Sequence, residues 1–269
     1  MDRRAIGVFD SGLGGLTAVK ELISLLPNED IIYFGDTGRV PYGTRSTETI
    51  IKYVRQDIRF LMTNKIKAVV AACGTASAVA LNLLKPEFPV PLIGVLEPTC
   101  KKAAEVSKNG RIGILGTPGT INSGAYGRLI RQYRRDVAVF EKACPMFVPL
   151  VENGYIDSPA TYIIAEEYLR PLMEDGIDTI ILGCTHYPLL YKVISDILGD
   201  KITIINSGYE AAVYTKEILT GEHMLKKDNH VGVTTYFISD SVEKFTYFGG
   251  LFLNKEIDTG VIKIDIEQY

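Results

Sequence analysis

The sequence predicts an α/β fold of two pseudo-symmetric lobes, each a largely parallel sheet flanked by helices, with the active site in the cleft between them. Three observations lead there. Short runs of β-forming residues alternate with stretches of helical periodicity along most of the chain, which is the pattern of parallel sheets. The segment AIGVFDSG near the start has a counterpart in RIGILGTP 106 positions later, Ile6 against Ile112. Cys73 and Cys184, 111 positions apart, each follow directly on a buried-type strand. Similar offsets suggest two related units.

The elements follow in order. Ala5–Phe9 is a strand that ends in the turn DSGLGG and feeds a helix over Leu16–Leu26. Asp30–Phe34 is the next strand, Thr47–Asn64 a helix, and Ala68–Ala72 a strand that runs into Cys73 and a further helix. Val90–Val95 precedes a helix from about Pro98. Arg111–Leu115 starts the pattern again. Val137–Val139 and Phe147–Leu150 read as weaker strands, Pro159–Asp175 as a helix, Thr179–Leu182 as a strand with a helix after Pro188, and Lys201–Ile205 as the last strand of the series. The stretch Thr234–Phe252, rich in β-formers and aromatics, is expected to pack back on the first lobe. These readings place residues 1–96 and 208–269 in the first lobe and 97–207 in the second. No Gly/Ser/Pro-rich linker separates them, so a tight shared interface is expected.

Composition excludes several classes. With 269 residues, 46% apolar and 23% charged, the chain is neither disordered nor membrane-embedded and can bury a sizeable core. A formal net charge of -3 argues against a nucleic-acid or membrane partner, which usually needs a basic face. The basic runs at 131–135 and 226–227 read as solvated surface. The opening MDRRAIGVFDSG has too short an apolar run for a signal peptide, and nothing approaches the ~18 apolar residues of a membrane span, so a cytoplasmic protein is expected. The four cysteines, at 73, 100, 144 and 184, form no C-x-x-C pair, so no metal site is expected and the thiols should be reduced. Cys100 and Cys144 read as structural, and His223 and His230 as surface residues.

Two segments carry the chemistry: VVAACGTASA (69–78) and IILGCTHYPLL (180–190). Each sets a cysteine between a strand end and a helix start. Ligands in open α/β sheets bind at the carboxyl ends of strands, and the positive end of a helix favours a thiolate. Two thiols facing each other suit inversion at a carbon, where one base removes a proton from one face and an acid returns one to the other. A thiol's ordinary pKa of about 8.5 allows both roles. That scheme requires no cofactor, and no lysine motif for a pyridoxal group is evident. The turn DSGLGGLT (10–17) does not meet G-x-G-x-x-G, since position 17 is Thr. It reads better as an anion cradle at a helix N-terminus, suited to a carboxylate. Asp10 either caps that helix, meets an ammonium group or helps a cysteine titrate.

The motifs FDSGLGGLTA (9–18), YFGDTGRVPYGTRS (33–46), ACGTASA (72–78), VPLVE (148–152) and LGCTHYPLL (182–190) stand in the order found in the glutamate racemases of the aspartate/glutamate racemase superfamily, which this chain resembles over nearly its whole length. The resemblance implies Cys73 and Cys184 as proton donor and acceptor, with Asp10 assisting on the Cys73 side and Glu152 and His186 on the Cys184 side. It implies substrate contacts from Asp10, Ser11, Pro41, Tyr42, Gly43, Gly74, Thr75, Thr185 and His186, glutamate as the substrate, D-glutamate supply for peptidoglycan as the role, and a homodimer. One position departs: Gly74 stands where the family usually has Asn, so the Gly74 N–H, or a water in the space, would replace the missing amide. That departure motivates aspartate or another acidic amino acid as an alternative substrate. A non-catalytic regulatory protein, such as a gyrase modulator, is the alternative from another class, and retention of the two cysteines, Asp10, Glu152 and His186 argues against it.

Overall fold

A computed structural model of the chain describes residues 2–227, 231–257 and 260–269. Among the described residues ten strands form two sheets, and every pairing is parallel. The first sheet contains β1 (Ala5–Asp10), β2 (Ile31–Gly35), β3 (Ile66–Ala71), β4 (Leu92–Gly94), β9 (Thr234–Ile238) and β10 (Val261–Lys263), in the order β10-β9-β2-β1-β3-β4. The second contains β5 (Arg111–Gly116), β6 (Ala138–Ala143), β7 (Thr179–Leu182) and β8 (Thr203–Asn206), in the order β6-β5-β7-β8. The order β2-β1-β3-β4 in one sheet is thus repeated as β6-β5-β7-β8 in the other, so the faint sequence repeat corresponds to a repeated topology.

Parallel strands covered on both faces read as continuous apolar runs, and every residue of β1 and β3 is buried. Alternate side chains serve different layers. Ile6 and Val8 face the helix Leu16–Leu25, while Ala5 and Phe9 face the helix Thr47–Met62 through Ile50, Val54 and Ile58. The first of these layers continues from Val8 and Leu16 to Leu182, Cys184 and Tyr187 of the second sheet, so one apolar cluster joins the two halves. A third cluster, around Ile112, Ile114, Ile181 and Tyr126, contains Cys100. Cys144 is also fully buried.

Several expectations change. Phe147–Leu150 is not a strand but the start of the helix Phe147–Glu152, which buries Phe147, Leu150 and Val151 on one face at helical spacing. β6 runs three residues longer than read, because as a half-exposed edge strand it lacks a clean apolar pattern. The stretch Thr234–Phe252 does return to the first sheet, but only Thr234–Ile238 is a strand. The Ser241 hydroxyl accepts from the Lys244 N–H and starts the helix Val242–Leu253, whose Phe245 and Phe252 face the core. The helices Ala125–Tyr133 and Ser207–Gly221, and β10, were not foreseen. His223 is exposed; His230 lies outside the described residues. Among the described residues no helix is long and apolar enough to cross a membrane.

Candidate active site

The order in which successive strands are laid across the sheet reverses between β1 and β3 in the first sheet and between β5 and β7 in the second. A crevice opens at the carboxyl ends of strands at such points, and here the two crevices face each other. Ser11 follows β1 and Cys73 follows β3; Thr117 follows β5 and Cys184 follows β7. The cavity between them, about 30 Å³, is lined by ten of the twelve expected residues: Ser11, Pro41, Tyr42, Gly43, Cys73, Gly74, Thr75, Cys184, Thr185 and His186. That is water-sized rather than amino-acid-sized, so admitting a substrate requires the walls to part. The other two expected residues stand behind the wall. Asp10, fully buried, accepts from the Gly12 N–H at 3.0 Å and from the Thr185 hydroxyl at 3.4 Å. Glu152 accepts from His186 Nε2 at 3.0 Å, while His186 Nδ1 lies 3.9 Å from Cys184 Sγ.

The two thiols differ in surroundings. Cys73 caps the six-residue helix Gly74–Val79, accepting from the Ala76 N–H at 3.5 Å, and its thiol donates to Ser11 Oγ at 3.6 Å. Burial, followed by the charge of Asp10, pushes this thiol up to about 12, against the opposing pull of the Ala76 N–H. The expected helix-end activation is therefore outweighed at Cys73, which is a thiol at rest. Cys184 precedes a 3-10 turn, Tyr187–Leu190, rather than an α-helix. Its polar partner is His186. Burial alone would push that imidazole down, but hydrogen bonds to Cys184 and Glu152 outweigh it and raise it to about 10. His186 is thus placed to exchange a proton with the Cys184 sulfur.

The glycine-rich turn packs tightly against the second sheet's end of the cleft. The N–H groups of Leu16, Thr17 and Ala18 donate to the carbonyls of Leu13, Gly14 and Gly15, and that of Gly12 donates to Asp10. These four amides have their partners within the turn. Its glycines also serve close approach: a Cβ on Gly14 would lie 2.2 Å from Thr185 Oγ1 and 2.5 Å from His186 Nδ1. Thr17 completes the contact, its hydroxyl lying within hydrogen-bonding distance of the Gly14 and Thr185 carbonyls. At Gly74 the space an Asn side chain would enter is filled, since a Cβ would lie 2.3 Å from the Gly183 carbonyl oxygen. No room for a bridging water is left along that direction.

A pattern for Asp/Glu/Hydantoin racemases matches residues 17–215. The chain belongs to this racemase family. A glutamate racemase of Geobacter metallireducens is 45% identical over 269 residues, covering all of both chains. One of Chlorobaculum tepidum is 46% identical over 253 residues, 94% of this chain and 93% of the relative. Among solved structures, glutamate racemase isoform RacE1 from Bacillus anthracis superposes with a TM-score of 0.94 at 38% identity over 98% of each chain. The enzyme of Francisella tularensis in complex with D-glutamate superposes at 0.93 and 35% identity over the whole of both.

Sequence reasoning passed over two polar residues of this racemase cavity. Thr117 lines it, and Thr120 stands just behind; their hydroxyls form a triangle with that of Thr75, with edges of 3.1, 3.1 and 3.2 Å. The triangle crosses from the first sheet to the second. The repeat already held the signal, since Thr117 follows β5 as Ser11 follows β1. Tyr42 lines the cavity with its ring and backbone, but its hydroxyl points away into a cluster of carboxylates. Among the described residues, no group of three or more His, Cys, Asp or Glu side chains is arranged to hold a metal ion.

Proposed function

We propose that this chain is a glutamate racemase that interconverts L- and D-glutamate by a two-thiol proton transfer. The observation that carries the reading is the arrival of Cys73 and Cys184, from different sheets, on the walls of one cavity. In one direction Cys184, beside His186, acts as the base and takes the α-proton from one face of the substrate. Cys73, as the thiol, delivers its proton to the other. The products are the mirror-image amino acid, a thiol at Cys184 and a thiolate at Cys73; a turnover in the reverse direction, or exchange with solvent, restores the start.

Negative charge builds on the α-carboxylate as the proton leaves. The N–H and hydroxyl groups of Ser11, Gly43, Gly74, Thr75 and Thr185 are the donors available to meet it. Asp10 faces Thr185 and its charge acts on Cys73, which suits it to assist that thiol; Glu152 does the same for His186. We assign residues 1–96 and 208–269 to one lobe and 97–207 to the other, and propose a cytoplasmic homodimer supplying D-glutamate for the cell wall.

Racemisation of L-glutamate in deuterated water tests the reading, followed by circular dichroism and mass spectrometry. The wild type should invert glutamate with deuterium entering the α-position, and Cys73→Ala and Cys184→Ala should each abolish racemisation. An inert wild type, or a single variant that still racemises, would refute it. Aspartate belongs in the same panel because of Gly74, and turnover of aspartate over glutamate would move the assignment to that substrate.

A further inference from the structure

The hydroxyl of Tyr42 stands between two buried carboxylates, 2.5 Å from Asp36 Oδ2 and 2.8 Å from Asp57 Oδ2. Asp36 and Asp57 are both fully buried. A phenol has one proton to give. If both acids were ionised, one carboxylate oxygen would face the phenol oxygen with no proton between them, and a buried unsatisfied acceptor is costly. One of the acids must therefore carry a proton.

The remaining partners decide which. Asp36 accepts from Arg39 Nε at 2.6 Å and from the Ser239 hydroxyl at 2.8 Å, so with Tyr42 it has three donors. Asp57 Oδ1 accepts from Arg39 Nη2 at 3.0 Å, whereas among the described residues Oδ2 meets only Tyr42. The arrangement closes when Asp57 Oδ2–H donates to Tyr42 and Tyr42 donates to Asp36. Arg39 then balances one carboxylate in the buried set, and it also meets Gln56 Oε1 at 2.6 Å, the exposed Glu267 at 3.2 Å and the face of the Tyr53 ring at 4.1 Å.

We propose that Asp57 is held as the neutral acid, and that its hydrogen bond through Tyr42 to Asp36 fixes the Pro41–Gly43 segment against the substrate cavity. Asp57 is thus a positioning residue, acting on substrate binding through Tyr42. Burial and the neighbouring charge of Asp36 push the Asp57 carboxyl well above the usual carboxylate range, in line with this assignment. Pro41, Tyr42 and Gly43 all line the cavity. The cluster gathers the end of β2, the helix Thr47–Met62, the end of β9 and the final turn Ile266–Gln268 around one tyrosine, so the chain's last residues brace a wall of the site.

The substrate-binding part of this proposal rests on the racemase reading; the proton assignment does not. The first measurement is the infrared spectrum of protein labelled with ¹³C-aspartate at neutral pH, comparing wild type with Asp57→Asn. A carboxylic-acid carbonyl band present in the wild type and lost in the variant is expected; a wild type with no band sensitive to this change overturns the assignment. The second is steady-state kinetics on glutamate. Asp57→Asn, whose amide can donate to Tyr42 and accept from Arg39, should keep KM within about threefold, whereas Asp57→Ala and Asp36→Asn should raise KM by about tenfold or more with a smaller change in kcat. Asn and Ala variants with equal KM would overturn the positioning role. Should Asp57→Ala not fold, Tyr42→Phe, which removes only the hydroxyl, must raise KM in the same way. A wild type that does not turn over glutamate sinks the parent reading, and the infrared result then decides the protonation alone.

Discussion

Gly74 gives the sharpest test of the cavity's geometry. Any side chain there places its Cβ 2.3 Å from the Gly183 carbonyl oxygen, where about 3.0 Å is the practical floor, so the two backbones must part by ~0.7 Å. Neither is free to give. The Gly183 N–H is bonded to the Leu115 carbonyl at 2.8 Å, and Gly74 opens a helix whose first turn is tied to Cys73 through the Ser77 N–H at 2.9 Å. Separation therefore carries Cys73 away from Cys184, which adjoins Gly183. Misplacement of reacting groups by about 1 Å costs on the order of 10²-fold, equivalent to about 2.7 kcal/mol in the barrier. Gly74→Ala should thus lower kcat/KM for glutamate roughly 10²-fold by this argument. Gly74→Asn should fall too, although it restores the residue usual in the family, because the clash begins at Cβ. The assay is racemisation followed by circular dichroism, with a thermal melt to show that each variant is folded. A folded Gly74→Ala with wild-type kcat/KM would show that the close approach of the two turns does not set the spacing of the thiols.

Two further predictions concern buried charge. His186 is raised above its ordinary value, so its contribution to stability is complete below about pH 6.5 and is lost as pH rises through about 10. Glu152→Gln should lower stability at pH 6 and flatten the decline between pH 6 and 10, as read by urea unfolding, and should slow racemisation by about 10- to 100-fold; an unchanged pH profile would refute the His186–Glu152 linkage. Lys67, fully buried in β3, is 2.5 Å from the buried Glu29 and also donates to the Met224 carbonyl at 2.7 Å. Lys67→Met strands Glu29 and should cost about 3–5 kcal/mol in urea unfolding, with part of the loss recovered in the double variant with Glu29→Gln.

What the sequence made legible was the part written in local pattern. The apolar runs of β1, β3, β5 and β7 and the residues just beyond them place both cysteines, Ser11 and Thr185 at strand ends, and this suffices to predict a shared cleft. Long-range polar partnerships were not legible. Asp57 reads as one more polar residue of an amphipathic helix until the structure sets it beside Asp36 and Tyr42. Lys67 falls outside the strand read at Ala68–Ala72, and the structure sets it within β3 against Glu29. The glycines of DSGLGG show in local sequence where a backbone is bare, but not that Thr185 and His186 lie against it. Phe147–Leu150 was mistaken for a strand because a short apolar run has no period long enough to separate the two structures.

The repeated strand order places two thiols on opposite walls, yet their neighbours are unlike: Asp10 and Ser11 for one, His186 and Glu152 for the other. An enzyme built this way handles its two substrates by different half-reactions. L- and D-glutamate nevertheless have the same free energy in water, so the equilibrium constant between them is one. The Haldane relation then requires kcat/KM to be identical in the two directions, however different the thiols. The asymmetry of the site can appear only in how that common ratio divides between kcat and KM, and in which direction shows the larger deuterium isotope effect. A cavity with unequal walls can therefore favour one enantiomer in occupancy and in turnover rate, but never in yield.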